Sequence, residues 1–328
     1  MTEEKMRKLM STTVCVAALI ALPAVAAEPA DRYPSKPIRI MGQGVGSTAD
    51  YLSRYIGQRL TERWGQPVVV DNRAGAGGTI PTDVVAKAAP DGYSLVMGHV
   101  GPLVSAVSLY KKMPYDPQKD LAPITRTATL VTVVVVHPSV PVNSAVELIA
   151  YARQKGGMTY GSAGNGSISH LTGELMKKVT GLQLQHVPYK SAGAALTAVL
   201  SGEVPLSFLS PVTAYAQLKA GKVKALAVSS KERFAGAPDI PSATEAGLAG
   251  VEAELWFGLL ATAGTPKPII TKLNREIVGI LNSPDVKKGL LERGAIATPS
   301  TPEELAAWIR SELQKWTPII KASGIVAG

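Results

Sequence analysis

The sequence has one cysteine, at position 15, so no internal disulfide can form and no thiolate cluster can hold a metal. Histidine is scarce as well: the four, at 99, 137, 170 and 186, show no metal-ligand spacing, and neither a metal nor a cofactor is expected. Three Phe and four Trp among 328 residues leave little surface for stacking bases. The basic excess, 34 Lys and Arg against 25 Asp and Glu, is scattered in doublets such as Lys111-Lys112, Lys177-Lys178 and Lys287-Lys288. Without a basic patch or stacking platform, nucleic acid is excluded as a partner, whereas a net charge of +9 suits small anions. Beyond the N-terminal region the longest apolar run is Leu130–Val136, which includes a Thr and falls far short of the roughly 20 residues a membrane span needs.

The N-terminal segment has a pattern of its own. Lys5, Arg7 and Lys8 precede the apolar run Val14–Ala21, which continues to Ala24-Val-Ala26, an A-x-A ending. A basic head, a short apolar stretch and a small-residue ending predict a secretory signal over 1–26, cleaved near Ala26, and an exported protein. The remaining length is enough for two domains with substantial cores.

Short β-branched runs alternate with amphipathic segments. Strands are predicted at Lys36–Met41, Pro67–Asp71 and Tyr93–Met97, with helices at Ala49–Trp64, stopped by Gly65, and Thr82–Ala89. The rhythm resumes with helices at Ser144–Lys155, Ile168–Thr180, Ala194–Ser201 and Val212–Ala220. Between them lie strands at Met158–Tyr160, Leu184–Val187, Val204–Phe208 and Val223–Val228. This alternation predicts α/β layers with mostly parallel sheets. Two extended runs, Leu130–Ser139 and Glu252–Ala261, bracket the second set and predict two crossings between domains. Domain 1 is then 27–130 with 256–328, and domain 2 is 131–255. The tail, read as three helices with no strand of its own, packs on domain 1.

Two loops follow strands and open helices: Gly42-Gln-Gly-Val-Gly-Ser-Thr48 and Tyr160-Gly-Ser-Ala-Gly-Asn-Gly-Ser-Ile-Ser-His170. Glycines let the backbone approach a ligand, and a helix start offers unpaired N–H groups to an anion. The first loop lacks the Gly-Lys-Ser/Thr ending of a phosphate-binding P-loop and only half matches a dinucleotide fingerprint, so a plain tight turn stays open beside a ligand nest. Asn72–Thr79 and Gly98–Pro102 could supply flanking wall. His170 stands in the first turn of a predicted helix, against either ligand or solvent. An exported hydrolase with Ser162 or Ser167 activated by His170 is the alternative class, although Tyr160-Gly-Ser-Ala-Gly164 misses the G-x-S-x-G pattern.

The chain resembles the periplasmic solute-binding proteins of tripartite tricarboxylate transporters, the Bug family. Tyr33-Pro-Ser-Lys-Pro-Ile-Arg39, Val68-Val-Val-Asp-Asn-Arg-Ala-Gly-Ala-Gly-Gly78, Pro90-Asp-Gly-Tyr-Ser-Leu95, Tyr160–Ser167 with His170, and His186-Val-Pro-Tyr-Lys190 carry the resemblance. Trp256-Phe-Gly-Leu-Leu260 and Gly264-Thr-Pro-Lys-Pro268 complete it. It implies a type II periplasmic binding fold, two doubly wound α/β domains with the ligand cleft between them. It also implies a monomeric, periplasmic carboxylate receptor without enzymatic activity, serving two membrane subunits. The implied ligand-binding residues in the first loop are Gly44, Val45, Gly46, Ser47 and Thr48, with His99 after the third strand. Ser162, Gly164, Asn165, Ser167 and His170 follow in the second loop, and Leu209 and Ser210 near Phe208. The family loop usually reads Pro-Phe-x-Pro-Gly-Gly-x-x-Asp. Here Gly42, Gln43 and Val45 replace its Pro, Phe and Pro, while Gly46 and Asp50 match. Leu209 stands where many members carry an Asp, so an amino-acid ammonium would lack its partner. An aromatic mono- or dicarboxylate such as terephthalate is the expected ligand class.

Overall fold

The computed structural model describes residues 29–73 and 75–323. The predicted signal over 1–26 lies outside the described residues. Strands β1 (Ile38–Gly42), β2 (Val68–Asn72), β3 (Ser94–His99), β4 (Leu121–Val131), β10 (Glu254–Thr262) and β11 (Ile296–Ala297) form one sheet, in the order β11-β4-β10-β3-β1-β2. A second sheet has β5 (Val133–Val136), β6 (Met158–Ser162), β7 (Leu184–Pro188), β8 (Leu206–Leu209) and β9 (Lys224–Val228), in the order β7-β6-β8-β5-β9. The helices of the first set are α1 (Thr48–Trp64), α2 (Thr79–Ala86) and the short α3 (Ala106–Leu109). The second sheet carries α4 (Ala145–Gln154), α5 (Ile168–Thr180), α6 (Ala192–Leu200) and α7 (Pro211–Lys219). The tail forms α8 (Lys267–Leu281), α9 (Pro284–Leu291) and α10 (Pro302–Ser323).

Most predicted elements stand within a few residues of their expected limits. Gly65 ends α1 in the left-handed region (φ 67°) and donates its N–H to the Thr61 carbonyl, which a residue with a Cβ does poorly there. Val133–Val136 is buried at every position, as befits a central strand covered on both faces.

Three expectations are corrected. The sheets are not mostly parallel: β1 pairs in parallel with β2 and β3, and β6 with β7 and β8, but β10 is antiparallel to β3 and β4, and β5 to β8 and β9. The antiparallel strands flank the passages between sheets, where no helix intervenes to turn the chain back into a parallel register. The run Leu130–Ser139 is not one strand. β4 begins at Leu121, and the chain leaves it for β5 through Thr132 alone. The tail does add a strand: β11 pairs antiparallel with β4 through Ile296 and Ala297.

The return passage, from β9 to β10, is tied to the outward one by Ser229. Its N–H donates to the Thr132 carbonyl (2.8 Å) and its hydroxyl donates to the Ala253 carbonyl (2.8 Å). The same hydroxyl accepts from the Thr132 N–H (2.9 Å). Ser229→Ala leaves a buried donor and a buried acceptor unmet. Each costs about 1–3 kcal/mol, so chemical denaturation should show a loss of at least ~1 kcal/mol. An unchanged midpoint would show that the passages do not depend on this link.

Candidate ligand-binding site

A cavity lies between the two sheets. It sits beyond the C-terminal ends of β1, β3, β6, β7 and β8, where open α/β sheets expose their loops. Besides α2, whose N-cap Gly78 has no side-chain cap, four helices begin on its wall. Each is capped by a serine whose hydroxyl accepts from the backbone N–H three residues on: Ser47 from Asp50 in α1, Ser167 from His170 in α5, Ser191 from Ala194 in α6 and Ser210 from Thr213 in α7. All four caps line the cavity. A helix start leaves further N–H groups unpaired and carries a partial positive charge, so four of them favour an anion.

The helices differ in their first turns. α5, α6 and α7 have no acid there, whereas α1 has Asp50. That carboxylate accepts from Gly46 N (3.0 Å), Arg54 Nε (2.8 Å) and Asn72 Nδ2 (2.5 Å), so it fastens the first loop rather than facing the cavity. Thr48 Oγ1 and Ser210 Oγ, from opposite walls, are hydrogen-bonded at 2.8 Å.

Among the described residues Lys190 is the one with a full charge on this wall, and it is exposed. Among the described residues its ammonium has no acid partner. Among the described residues no carboxylate lines the cavity. Leu255 and Phe257 of β10 and Phe208 and Leu209 of β8 supply apolar surface. The His99 ring lies tilted at 54° to that of Phe257, centroids 5.5 Å apart, and burial holds its pKa down at about 4, from an ordinary 6.5. It is neutral at pH 7, with Nδ1 accepting from Gly101 N (3.0 Å) and the proton therefore on Nε2.

Of the residues expected from sequence, Gly44, Ser47, Thr48, His99, Ser167, Leu209 and Ser210 line the cavity. Val45, Gly46, Ser162, Gly164, Asn165 and His170 do not. Val45 points outward, 74% exposed. Gly46 is occupied with Asp50, and the Gly164 carbonyl accepts from Ser162 Oγ (3.2 Å) and Ser167 Oγ (2.7 Å). The Asn165 carbonyl lies against Gly77, where a Cβ would stand 3.2 Å away. Ser167 is thus a committed cap as much as a wall residue.

The histidine near the second loop is engaged elsewhere than a hydrolase needs. His170 Nδ1 accepts from Gly166 N (3.1 Å), and its ring stacks on His186 with centroids 3.7 Å apart. Ser162 Oγ meets His186 Nε2 at 2.5 Å, but this serine is fully buried behind the cavity. No serine on the cavity wall has a histidine base, among the described residues.

Sequence reasoning overlooked Ser191 as a wall residue, together with Ser169, Gln43, Leu255 and Phe257. Ser191 had a usable signal, a serine between a strand and an amphipathic helix. The Asn72–Thr79 loop does contribute, through Gly75, Gly77 and Gly78.

Residues 52–325 match the family model described as the tripartite tricarboxylate transporter family receptor. The protein BugT of Bordetella pertussis is 34% identical over 298 residues, covering 90% of this chain and 91% of that one. A protein encoded in the tcbD-tcbE intergenic region of Pseudomonas sp. strain P51 is also 34% identical, over 88% of this chain and 87% of its own length. Among solved structures, Rpa4515 of R. palustris with adipate superimposes with a TM-score of 0.88 at 34% identity, covering 90% of this chain and all of that one. MatC of Rhodopseudomonas palustris, solved with bound malate, gives a TM-score of 0.82 at 32% identity, over 88% of this chain and 100% of that one. Among the described residues no helix is long and apolar enough to cross a membrane. With its two-domain α/β fold and interdomain cavity, the chain belongs to the tripartite tricarboxylate transporter receptor family, the Bug solute-binding proteins.

Proposed function

We propose that this protein captures a carboxylate, an aromatic or dicarboxylic acid such as terephthalate, and delivers it to the two membrane subunits of a tripartite transporter. The carrying observation is the convergence of four serine-capped helix starts and Lys190 on a cavity that no acid lines. The relatives solved with adipate and malate support the ligand class. The protein works in the periplasm as a monomer, exported by its N-terminal signal. The ligand is bound by Gly44–Thr48, His99, the Ser162–His170 loop, Leu209 and Ser210. Those residues that do not reach the wall shape the ones that do. Domain 1 (27–130 and 256–328) and domain 2 (131–255) close on the ligand about the runs near 130–137 and 252–261, which Ser229 ties together through Thr132 and Ala253.

A thermal-shift panel of adipate, malate and terephthalate, with a neutral sugar and a primary amine as controls, tests this. A ligand at a hundred times its Kd stabilises by about 2.7 kcal/mol, so a binding carboxylate should raise Tm by several degrees. Lys190→Met should weaken that carboxylate about three- to tenfold and flatten its salt dependence, because an exposed ammonium acts through a screened field. Solution scattering should show a smaller radius of gyration with ligand. A panel in which only the sugar or the amine binds would overturn the proposal.

A further inference from the structure

Gln43 is the first residue beyond β1 and lines the cavity. Its amide nitrogen Nε2 is wholly buried and has no hydrogen-bond partner. A buried donor left unmet is costly, and native proteins leave few of them. The side chain is also held in place. Gly78, at φ +94°, lies beneath it, and a Cβ there would overlap Nε2 and stand 2.9 Å from Cδ.

A second donor stands nearby in the fold. β3 pairs in parallel with β1, and His99 closes β3 as Gly42 closes β1. His99 is 7% exposed, lines the same cavity, and carries its proton on Nε2 because Nδ1 accepts from Gly101 N. Among the described residues that Nε2–H meets no acceptor. The first-sheet wall therefore offers two uncharged N–H donors. The second-sheet wall offers the starts of α5, α6 and α7, none offset by an acid in the first turn, and Lys190.

Resting on the carboxylate function proposed above, we infer that Gln43 is a specificity-determining residue that donates Nε2–H to a second oxygen acceptor of the ligand. The cavity then selects an acid bearing oxygen at both ends, with one carboxylate on the helix starts of the second-sheet wall. The distal oxygen is received by Gln43 and His99. An analogue with a methyl group in place of the distal carboxylate leaves both donors unmet and is rejected. Leucine at 43 fills similar volume without a donor. Glutamate at 43 presents acceptors to an acceptor.

The test uses two matched pairs, adipate with hexanoate and terephthalate with 4-methylbenzoate, titrated by calorimetry into the wild type, Gln43→Leu and Gln43→Glu. Unliganded melting of each variant checks its fold. The wild type should bind at least one diacid about tenfold or more tighter than its partner monoacid. Gln43→Leu should lose that preference by weakening the diacid, with the monoacid within about threefold of wild type. Gln43→Glu should weaken the diacid further still. Equal losses for both members of a pair would make Gln43 ordinary wall and overturn the inference, as would a diacid preference intact in both variants. A wild type that prefers the monoacid would overturn it too, with carboxylate capture still standing. If the wild type binds none of the four acids but binds the sugar or amine, carboxylate capture itself falls, and the assignment of Gln43 with it.

Discussion

Lowering the pH from 7 to 4 is expected to cost this protein several kcal/mol, with Tm falling by roughly 10 °C. Two buried histidines, His99 and His170, and the half-buried His186 drive the loss. Burial lowers His99 to about 4, and burial with the neighbouring His186 charge lowers His170 to about 3. Burial lowers His186 to about 4 as well, against the pull of Glu174. Geometry gives the same direction. Gly101 N–H and Gly166 N–H each donate to a histidine Nδ1, so a proton there would break the bond. The His170 and His186 rings, 3.7 Å apart, would repel one another if both were charged. In the unfolded chain each histidine takes up its proton near the ordinary 6.5. Stability is therefore full above about pH 6.5 and falls as the pH drops toward 4, because the unfolded state binds more protons throughout that window. His99 alone accounts for roughly 3 kcal/mol, at about 1.4 kcal/mol per tenfold in proton affinity. Melting curves at half-unit steps would reveal the slope, and His99→Gln should flatten it. A Tm constant between pH 6.5 and 4.5 would refute the account.

Which features were legible in the sequence follows from how local their physics is. A capping serine favours a helix start and a glycine favours a tight turn, so the loops before α1 and α5 stood out in the chain. The helix of α7 was read from Val212 onward, and Ser210, its cap, entered only through the family resemblance. The loop before α6, Tyr189-Lys-Ser191, has no glycine and was passed over, though Ser191 caps its helix in the same way. β4 escaped because Leu121–Thr129 mixes Pro, Arg and three Thr with its apolar residues, hiding the alternation of a strand. Pairing across distance left no trace. Ser162 meets His186, 24 residues on, rather than the nearer His170. No spacing rule predicts that, because it depends on β6 and β7 lying side by side in register. Asp50 shows the same limit. A first-turn carboxylate beside an anion site looks repulsive in sequence, yet Arg54 and Asn72 turn it aside to hold the loop.

Glu312→Leu is expected to destabilise the protein by roughly 2–6 kcal/mol and to loosen the binding cavity with it. Glu312 lies on α10, 5% exposed, and its Oε2 accepts from both Trp256 Nε1 (2.9 Å) and Trp316 Nε1 (3.0 Å). Both indoles are completely buried. Leucine would leave two buried N–H groups unmet, at about 1–3 kcal/mol each. Removing the carboxylate returns some desolvation energy, but deleting one partner of a buried polar cluster usually costs more than that return. Glu312→Gln separates charge from hydrogen bonding, since its amide oxygen can accept from both indoles. It should retain most of the stability. The consequence for binding follows from β10. Trp256 sits between Leu255 and Phe257, and both of these line the cavity. Successive side chains of a strand point to opposite faces, so the face that anchors β10 to α10 positions the face that touches ligand. Denaturant unfolding should rank wild type and Glu312→Gln above Glu312→Leu. Carboxylate affinity, measured where Glu312→Leu is still folded, should fall in the same order. Equal stability of the leucine and glutamine variants would show that the two indoles do not depend on this acceptor.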